Sequence, residues 1–146
     1  YRGVDSASRI LKRRAALIKA GLELFGTKGY RNGSVKEVCD RVGLTERYFY
    51  ESFANREALL ANVFDALVQQ LDAHLRQVVE HGPRAHEARL RRLVEVFFHF
   101  MRDDRRRARV LLFEILGVNP EIDRRYRTLA AREGRARVPP AAPPRA

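Results

Sequence analysis

Residues 34–53 read SVKEVCDRVGLTERYFYESF, and this stretch decides the fold. Ser34 can cap a helix through its hydroxyl, while Glu37, three residues on, reaches back to the Ser34 amide in a capping box. Val35, Val38 and Val42 recur at helical spacing and make one apolar face. Cys39 and Gly43 stand four apart, a compact pair that lets a following helix cross closely. Gly43 also suits a turn that a side chain would resist. Thr45 is a second cap, opening a helix from Glu46 to about Ser52 whose Phe49 and Phe53 point inward. Two short helices with a tight turn between them make a helix-turn-helix, a motif whose second helix lies in the major groove of DNA.

The flanking sequence reads as further helix. Residues 1–8 are polar and are expected to fray. From Arg9 a helix is expected with Leu11, Ala15, Ile18, Leu22 and Phe25 on its apolar face and Arg9, Lys12, Arg13 and Lys19 opposite. Gly26 and Gly29 end it, and Tyr30 can fold back onto its apolar stripe. After the motif, Asn55 caps a long helix from Arg56 to about Glu80, striped by Leu60, Phe64, Leu67, Leu71, Leu75 and Val78 and stopped by Gly82 and Pro83. The next, from about Arg84 to Met101, becomes apolar on nearly every side, so deep burial of its C-terminal half is expected. Asp103 or Asp104 opens a helix ended by Gly117, and Asn119 with Pro120 opens a last one closed by Gly134. The tail RVPPAAPPRA is expected to be extended or disordered. No alternating strand pattern and no internal repeat occurs, so the expected fold class is all-α.

Composition narrows the partner. The 146 residues are 45% hydrophobic and 32% charged, enough to bury a core, and the net charge is +11. That charge sits in two blocks: residues 1–53 hold 11 Lys and Arg against 6 Asp and Glu, and residues 102–137 again 11 against 6, while residues 54–101 balance. The motif therefore lies in a basic block, which suits an anionic partner. One cysteine excludes an internal disulfide and fits a reducing, cytoplasmic setting. No apolar run approaches the roughly 20 residues of a membrane span, and the polar, basic N-terminus does not read as a signal peptide. The chain begins at Tyr1 rather than Met, so the native start is expected upstream.

Taken together, residues 9–64 resemble the DNA-binding domain of the tetracycline-repressor (TetR) family. The resemblance is carried by Leu24 and Phe25, Gly29 and Tyr30, Ser34 and Val35, Val38 and Cys39, and the run Val42, Gly43, Leu44, Thr45. Tyr50, Phe53, Arg56, Glu57, Leu59 and Leu60 complete it. It implies a three-helix helix-turn-helix DNA-binding domain over residues 1–54. A helical effector-binding and dimerisation domain over 55–134 and the proline-rich tail, 135–146, would follow. It also implies roles. Thr45, Glu46, Arg47 and Tyr48 form the exposed turn where bases are read. Ser34, Lys36, Tyr50 and Arg56 complete the DNA-facing set, with Lys36, Tyr50 and Arg56 on the phosphate backbone. Chemistry agrees, since arginine can bind guanine bidentately and a glutamate can accept from a cytosine amine. Three positions depart from the family pattern: Ser52 replaces a usual histidine, Gly33 a frequent threonine, and Glu51 places an acid near the DNA. The implied partners are a palindromic double-stranded operator, a second copy of the chain in a homodimer, and a small apolar effector. Family members continue through further helices that form the dimer interface. The last helix expected here ends near Gly134, leaving open a fragment, residues beyond this sequence, or a differently built dimer.

Other residues admit two readings. Phe64, Phe97, His99, Met101 and Glu114 are candidate effector contacts, yet the aromatics can equally be helical core, His99 a satisfied core histidine, and Glu114 a carboxylate on the wetter side of its helix. Cys39 reads as a compact residue at a helix crossing, with a redox thiol as the alternative. His74 and His81 share a helix face, but no cysteine or carboxylate cluster accompanies them, so no metal is expected. The arginines at 105, 106, 107 and 109 are a solvated helix start or an interdomain contact before they are a DNA or effector site. No glycine-rich phosphate loop and no nucleophile with base and orienter is present, so neither cofactor nor catalysis is expected. The expected function is a ligand-responsive transcriptional repressor, with a helical protein-interaction adaptor or a relative that does not bind DNA as the alternative.

Overall fold

The computed structural model describes residues 2–114, with side chains from Ser6 onward. Its helices are α1 (Arg2–Thr27), α2 (Val35–Val42), α3 (Glu46–Ser52), α4 (Arg56–His81), α5 (His86–Asp103) and α6 (Arg105–Arg109), and α6 runs into a π-helical turn, Val110–Glu114. Among the described residues there is no strand, and the fold is all-α. The helix expected between Asn119 and Gly134 and the proline-rich tail lie outside the described residues.

Helix α1 differs from expectation at its start and in its buried face. It begins at Arg2 rather than Arg9, because apolar periodicity marks where a helix is buried, not where it starts. Leu17, Leu24 and Phe25 are fully buried, and Ala20 and Gly21 are buried beside them, whereas Leu11 is 66% exposed and Ala15 is exposed. The core stripe is thus Leu17, Ala20, Gly21, Leu24 and, as expected, Phe25, and Ile18 and Leu22 only flank it. Tyr30 does fold back, meeting Phe25 edge to face at 5.4 Å between ring centres.

Helix α4 starts as expected, with the Asn55 side chain accepting the Ala58 N–H at 2.8 Å. Leu59, Leu60, Val63 and Phe64 at its first turns share one continuous core with Leu17, Leu24, Val38, Phe49 and Phe53, joined from the far end of the chain by Phe100, Val110 and Leu111. The expected division after residue 54 therefore falls at a loop, within unbroken packing.

The C-terminal half of α5 is not deeply buried. Phe100 is covered, but Val94 is 46% exposed, Phe98 64% and, beyond the helix, Phe113 70%. An apolar run records a tendency to be covered; among the described residues, α5 packs chiefly on α4 and α6, and Val94 and Phe98 stay exposed.

The crossing of α1 and α6 is unusually close. A Cβ at Gly26 would stand 2.3 Å from the Cβ of Arg106 and 2.8 Å from its Cα. An exposed helical glycine gains about 1 kcal/mol when changed to alanine, whereas overpacking costs about 1–3 kcal/mol. Gly26→Ala is expected to lower the thermal midpoint; a raised midpoint would show that the two helices do not approach this closely.

Candidate nucleic-acid interface

The motif is assembled from short-range bonds. Ser34 Oγ accepts the Glu37 N–H at 3.2 Å and Glu37 accepts the Ser34 N–H at 2.9 Å, closing the expected capping box. At the other end of α2 the Leu44 N–H reaches the Cys39 carbonyl at 3.1 Å and the Gly43 N–H the Asp40 carbonyl at 3.4 Å, the paired bonds of a Schellman cap. Gly43 sits at φ +64°, and a Cβ there would meet nothing within 4 Å. Glycine is needed for the left-handed backbone, not for the close crossing expected of it. Cys39 is buried, and burial pushes its thiol up, which suits the compact reading better than a reactive thiolate.

Thr45 precedes α3 in the N-cap position, but its hydroxyl takes no part in the cap. Phe49 and Phe53 bury the inner side of α3, leaving Thr45, Glu46, Arg47, Tyr48 and Tyr50 exposed on the outer side. Two arginines of α1 that the sequence reading did not single out for this site hold α3 in place. Arg14 donates to the Ser52 carbonyl at the C-terminal end of α3 and, at 2.6 Å, to the Asn62 side chain of α4, with its guanidinium 4.3 Å over the Phe53 ring. Arg13 lies 4.3 Å over the Tyr48 ring. The signal for Arg14 was its register, three and seven residues before Leu17 and Gly21 on the buried stripe.

The phosphate-side residues are placed unequally. Lys36 is exposed and pairs with Asp40 at 3.0 Å, a contact that raises its ammonium. Tyr50 is 56% exposed. Arg56 turns inward, donating to the Gly33 carbonyl and lying 4.4 Å over the Tyr30 ring. The same setting pushes the Tyr30 phenol up, burial outweighing the opposing bond to Arg56.

The candidate effector residues do not converge. Phe64 is in the core, Phe97 packs on Phe98, and His99 is exposed with Nδ1 2.6 Å from the Glu95 carbonyl of its own helix. Met101 and Glu114 border one open groove, His99 another. Glu114 borders the first groove, but its carboxylate is mostly covered and engaged within the fold. It accepts the Tyr30 N–H at 2.7 Å and Arg109 Nε at 2.7 Å, while Arg109 also donates to the Thr27 carbonyl at 2.6 Å. Arg106 pairs with Asp104 and Arg107 stacks over Phe100, so most of the 105–109 cluster is spent on contacts within the fold.

This is a three-helix helix-turn-helix domain joined to a helical extension. Residues 17–63 match the family described as bacterial regulatory proteins, tetR family. Of similar proteins, the HTH-type transcriptional regulator EthR of Mycolicibacterium smegmatis is 30% identical over 87 residues, covering 60% of this chain and 40% of that one. The HTH-type transcriptional activator FasR of the same organism is 32% identical over 103 residues, covering 70% and 46%. The chain thus spans under half the length of these two relatives. A crystal structure of the transcriptional regulator FadR from Bacillus subtilis, in complex with stearoyl-CoA, superposes with a TM-score of 0.69 at 19% identity over 80% of this chain and 62% of that one, a likeness of fold. Residues 17–63 thus form a domain of the tetR family, and both curated relatives are named as transcriptional regulators. No helix among the described residues is long and apolar enough to cross a membrane.

The cap of α2 carries an acid-sensitive contact. Glu37 receives Lys28 Nζ at 2.5 Å besides the two groups of Ser34, and these bonds, that of Lys28 foremost, lower its carboxyl to about 2. A carboxyl lowered from 4.5 stabilises the fold above the unfolded value and loses that contribution as pH falls through about 2. Titration from pH 5 to 2 should therefore lower the protection of the Ser34 amide, its exchange rate taken relative to the intrinsic rate at each pH, and Glu37→Gln should flatten that dependence. An amide that exchanges alike in both chains across the range would show the cap does not form.

Proposed function

We propose that the chain is a cytoplasmic DNA-binding transcriptional regulator that reads its operator with α3. One observation carries the reading: α3 buries Phe49 and Phe53, is pinned from α1 by Arg14, and turns Thr45, Glu46, Arg47 and Tyr48 outward as a set. Such a helix end has the size and chemistry to meet base edges in a major groove. Ser34, Lys36 and Tyr50 lie beside it as backbone contacts, and Arg56 serves by shaping the loop before α2. A homodimer on a palindromic operator is part of the proposal, supported by the family resemblance, since half-sites repeating at about 34 Å call for two motifs.

The finer reading is a repressor released by a small apolar effector bound beyond residue 55. The outward apolar face of Leu90, Val94, Phe98 and Phe113 and the stearoyl-CoA held by a protein of the same fold support an apolar ligand. Release then works by linkage, the effector favouring the geometry that binds DNA less well. Activation is the second reading, favoured by the relative named as an activator. An adaptor that recruits protein through the same motif is the third.

Duplex binding at graded salt separates these. Affinity should fall steeply as salt rises, Arg47→Ala should weaken the selected operator by about tenfold, and Lys36→Ala should weaken all duplexes alike while lowering the salt slope by about 1. Salt-independent or absent duplex binding would favour the adaptor.

A further inference from the structure

The two arginines of α1 grip α3 on opposite sides. Arg14 works at the inner side, on the Ser52 carbonyl and the Phe53 ring. Arg13 works at the outer side, on the surface that α3 presents. Its guanidinium covers the Tyr48 ring at 4.3 Å, and its Nη1 lies 4.0 Å from one oxygen of Glu51. The other oxygen of Glu51 lies 3.3 Å from Nε of Arg47. One carboxylate therefore stands between two arginines, beside a tyrosine stacked under one of them.

This arrangement addresses two problems of the recognition surface. Arg47 is 85% exposed, and a long, solvated side chain samples many rotamers before it can reach a base. Anchoring Glu51 from α1 gives Arg47 a fixed neighbour, while stacking fixes the Tyr48 ring. Preorganised groups bind at lower ordering cost. Glu51 also sets a negative charge where phosphate would approach, and two flanking cations offset it. A lone exposed ion pair contributes little, but here one carboxylate is shared and one cation is stacked, so the groups restrain one another.

We propose that Arg13 is a positioning residue for sequence readout, acting through Tyr48 and Glu51 to orient Arg47 and to mask the Glu51 charge. Arg13 discriminates between sequences without itself contacting DNA. The inference rests on the DNA-binding reading of α3.

The test compares two probes over a salt series: duplexes enriched by the wild-type chain from a random-sequence library, and poly(dI-dC). For Arg13→Ala, affinity for the enriched duplex should fall about tenfold, poly(dI-dC) should change less than about twofold, and the salt slope should stay as in wild type. Equal loss on both probes with a slope lower by about 1 would make Arg13 a phosphate contact and overturn the proposal. Glu51→Gln removes the shared carboxylate and leaves the packing of α1 on α3 in place, so it reads the same question if Arg13→Ala unfolds. It should tighten poly(dI-dC) binding and lower the ratio of enriched to non-specific affinity; an unchanged ratio overturns the proposal. A wild-type chain that binds neither probe is a separate result, refuting the DNA-binding reading and the inference with it.

Discussion

The close approach of neighbouring elements to α1 is the constraint on which the rest of the structure depends. A Cβ at Gly21 would lie 3.0 Å from Val63 and 3.1 Å from Leu59, and one at Gly26 would collide with Arg106. Removing those two Cβ atoms from one helix lets α4 settle at one level and α6 at the next. Leu59, Val63 and Val110 are then buried beside Leu17 and Leu24. The helix-turn-helix has too few apolar residues to hold itself: α2 buries Val38 and Cys39, α3 little more than Phe49. Both are stabilised by packing on α1, and so their orientation is inherited from it.

What was legible in the sequence follows from the range of the forces involved. The capping box at Ser34 and Glu37, the Asn55 cap and the left-handed turn at Gly43 each rest on residues within a few positions of one another, and each stands where it was read. The buried side of α1 was not legible in the same way. Arg14 counts as a surface residue by composition, yet it finds Ser52, Asn62 and Phe53, residues 38 to 48 positions away, that make partial burial tolerable. The directions of the candidate effector residues were not legible for a related reason. Aromatic content does not record direction: Phe64 turns into the core while His99 turns out, and Glu114 is drawn to a backbone N–H 84 positions away.

Charge shows the same gap between total and arrangement. A net charge of +11 suggests an anionic partner, but much of it is already engaged inside the fold. Arg14, Arg56, Arg107 and Arg109 donate to backbone carbonyls of other segments, and Arg106 forks onto Asp104, whose carboxyl it holds below the ordinary value. These guanidiniums act as planar multiple donors that tie loops to helices, a task to which lysine is poorly suited. On α3 the side chain of Arg47 stays outward, 85% exposed.

The contacts of Glu114 tie the far end of the described chain to the start of the motif. From the π-helical turn the Glu114 carboxylate accepts the Tyr30 N–H; the Tyr30 ring lies under Arg56; Arg56 donates to the Gly33 carbonyl; and Ser34 follows as the cap of α2. Arg109 closes the same loop from the other side through the Thr27 carbonyl. Withdrawing residues 110–114 would leave the partly buried Tyr30 N–H without its partner, an orphan costing about 1–3 kcal/mol. A rearrangement there cannot be absorbed within the C-terminal half alone, because the loop from Thr27 to Gly33 must re-form its bonds elsewhere. Linkage between an effector and DNA requires a contact that differs between two states. In this chain the clasp of Glu114 and Arg109 on that loop joins the two regions directly, alongside the continuous helix α4.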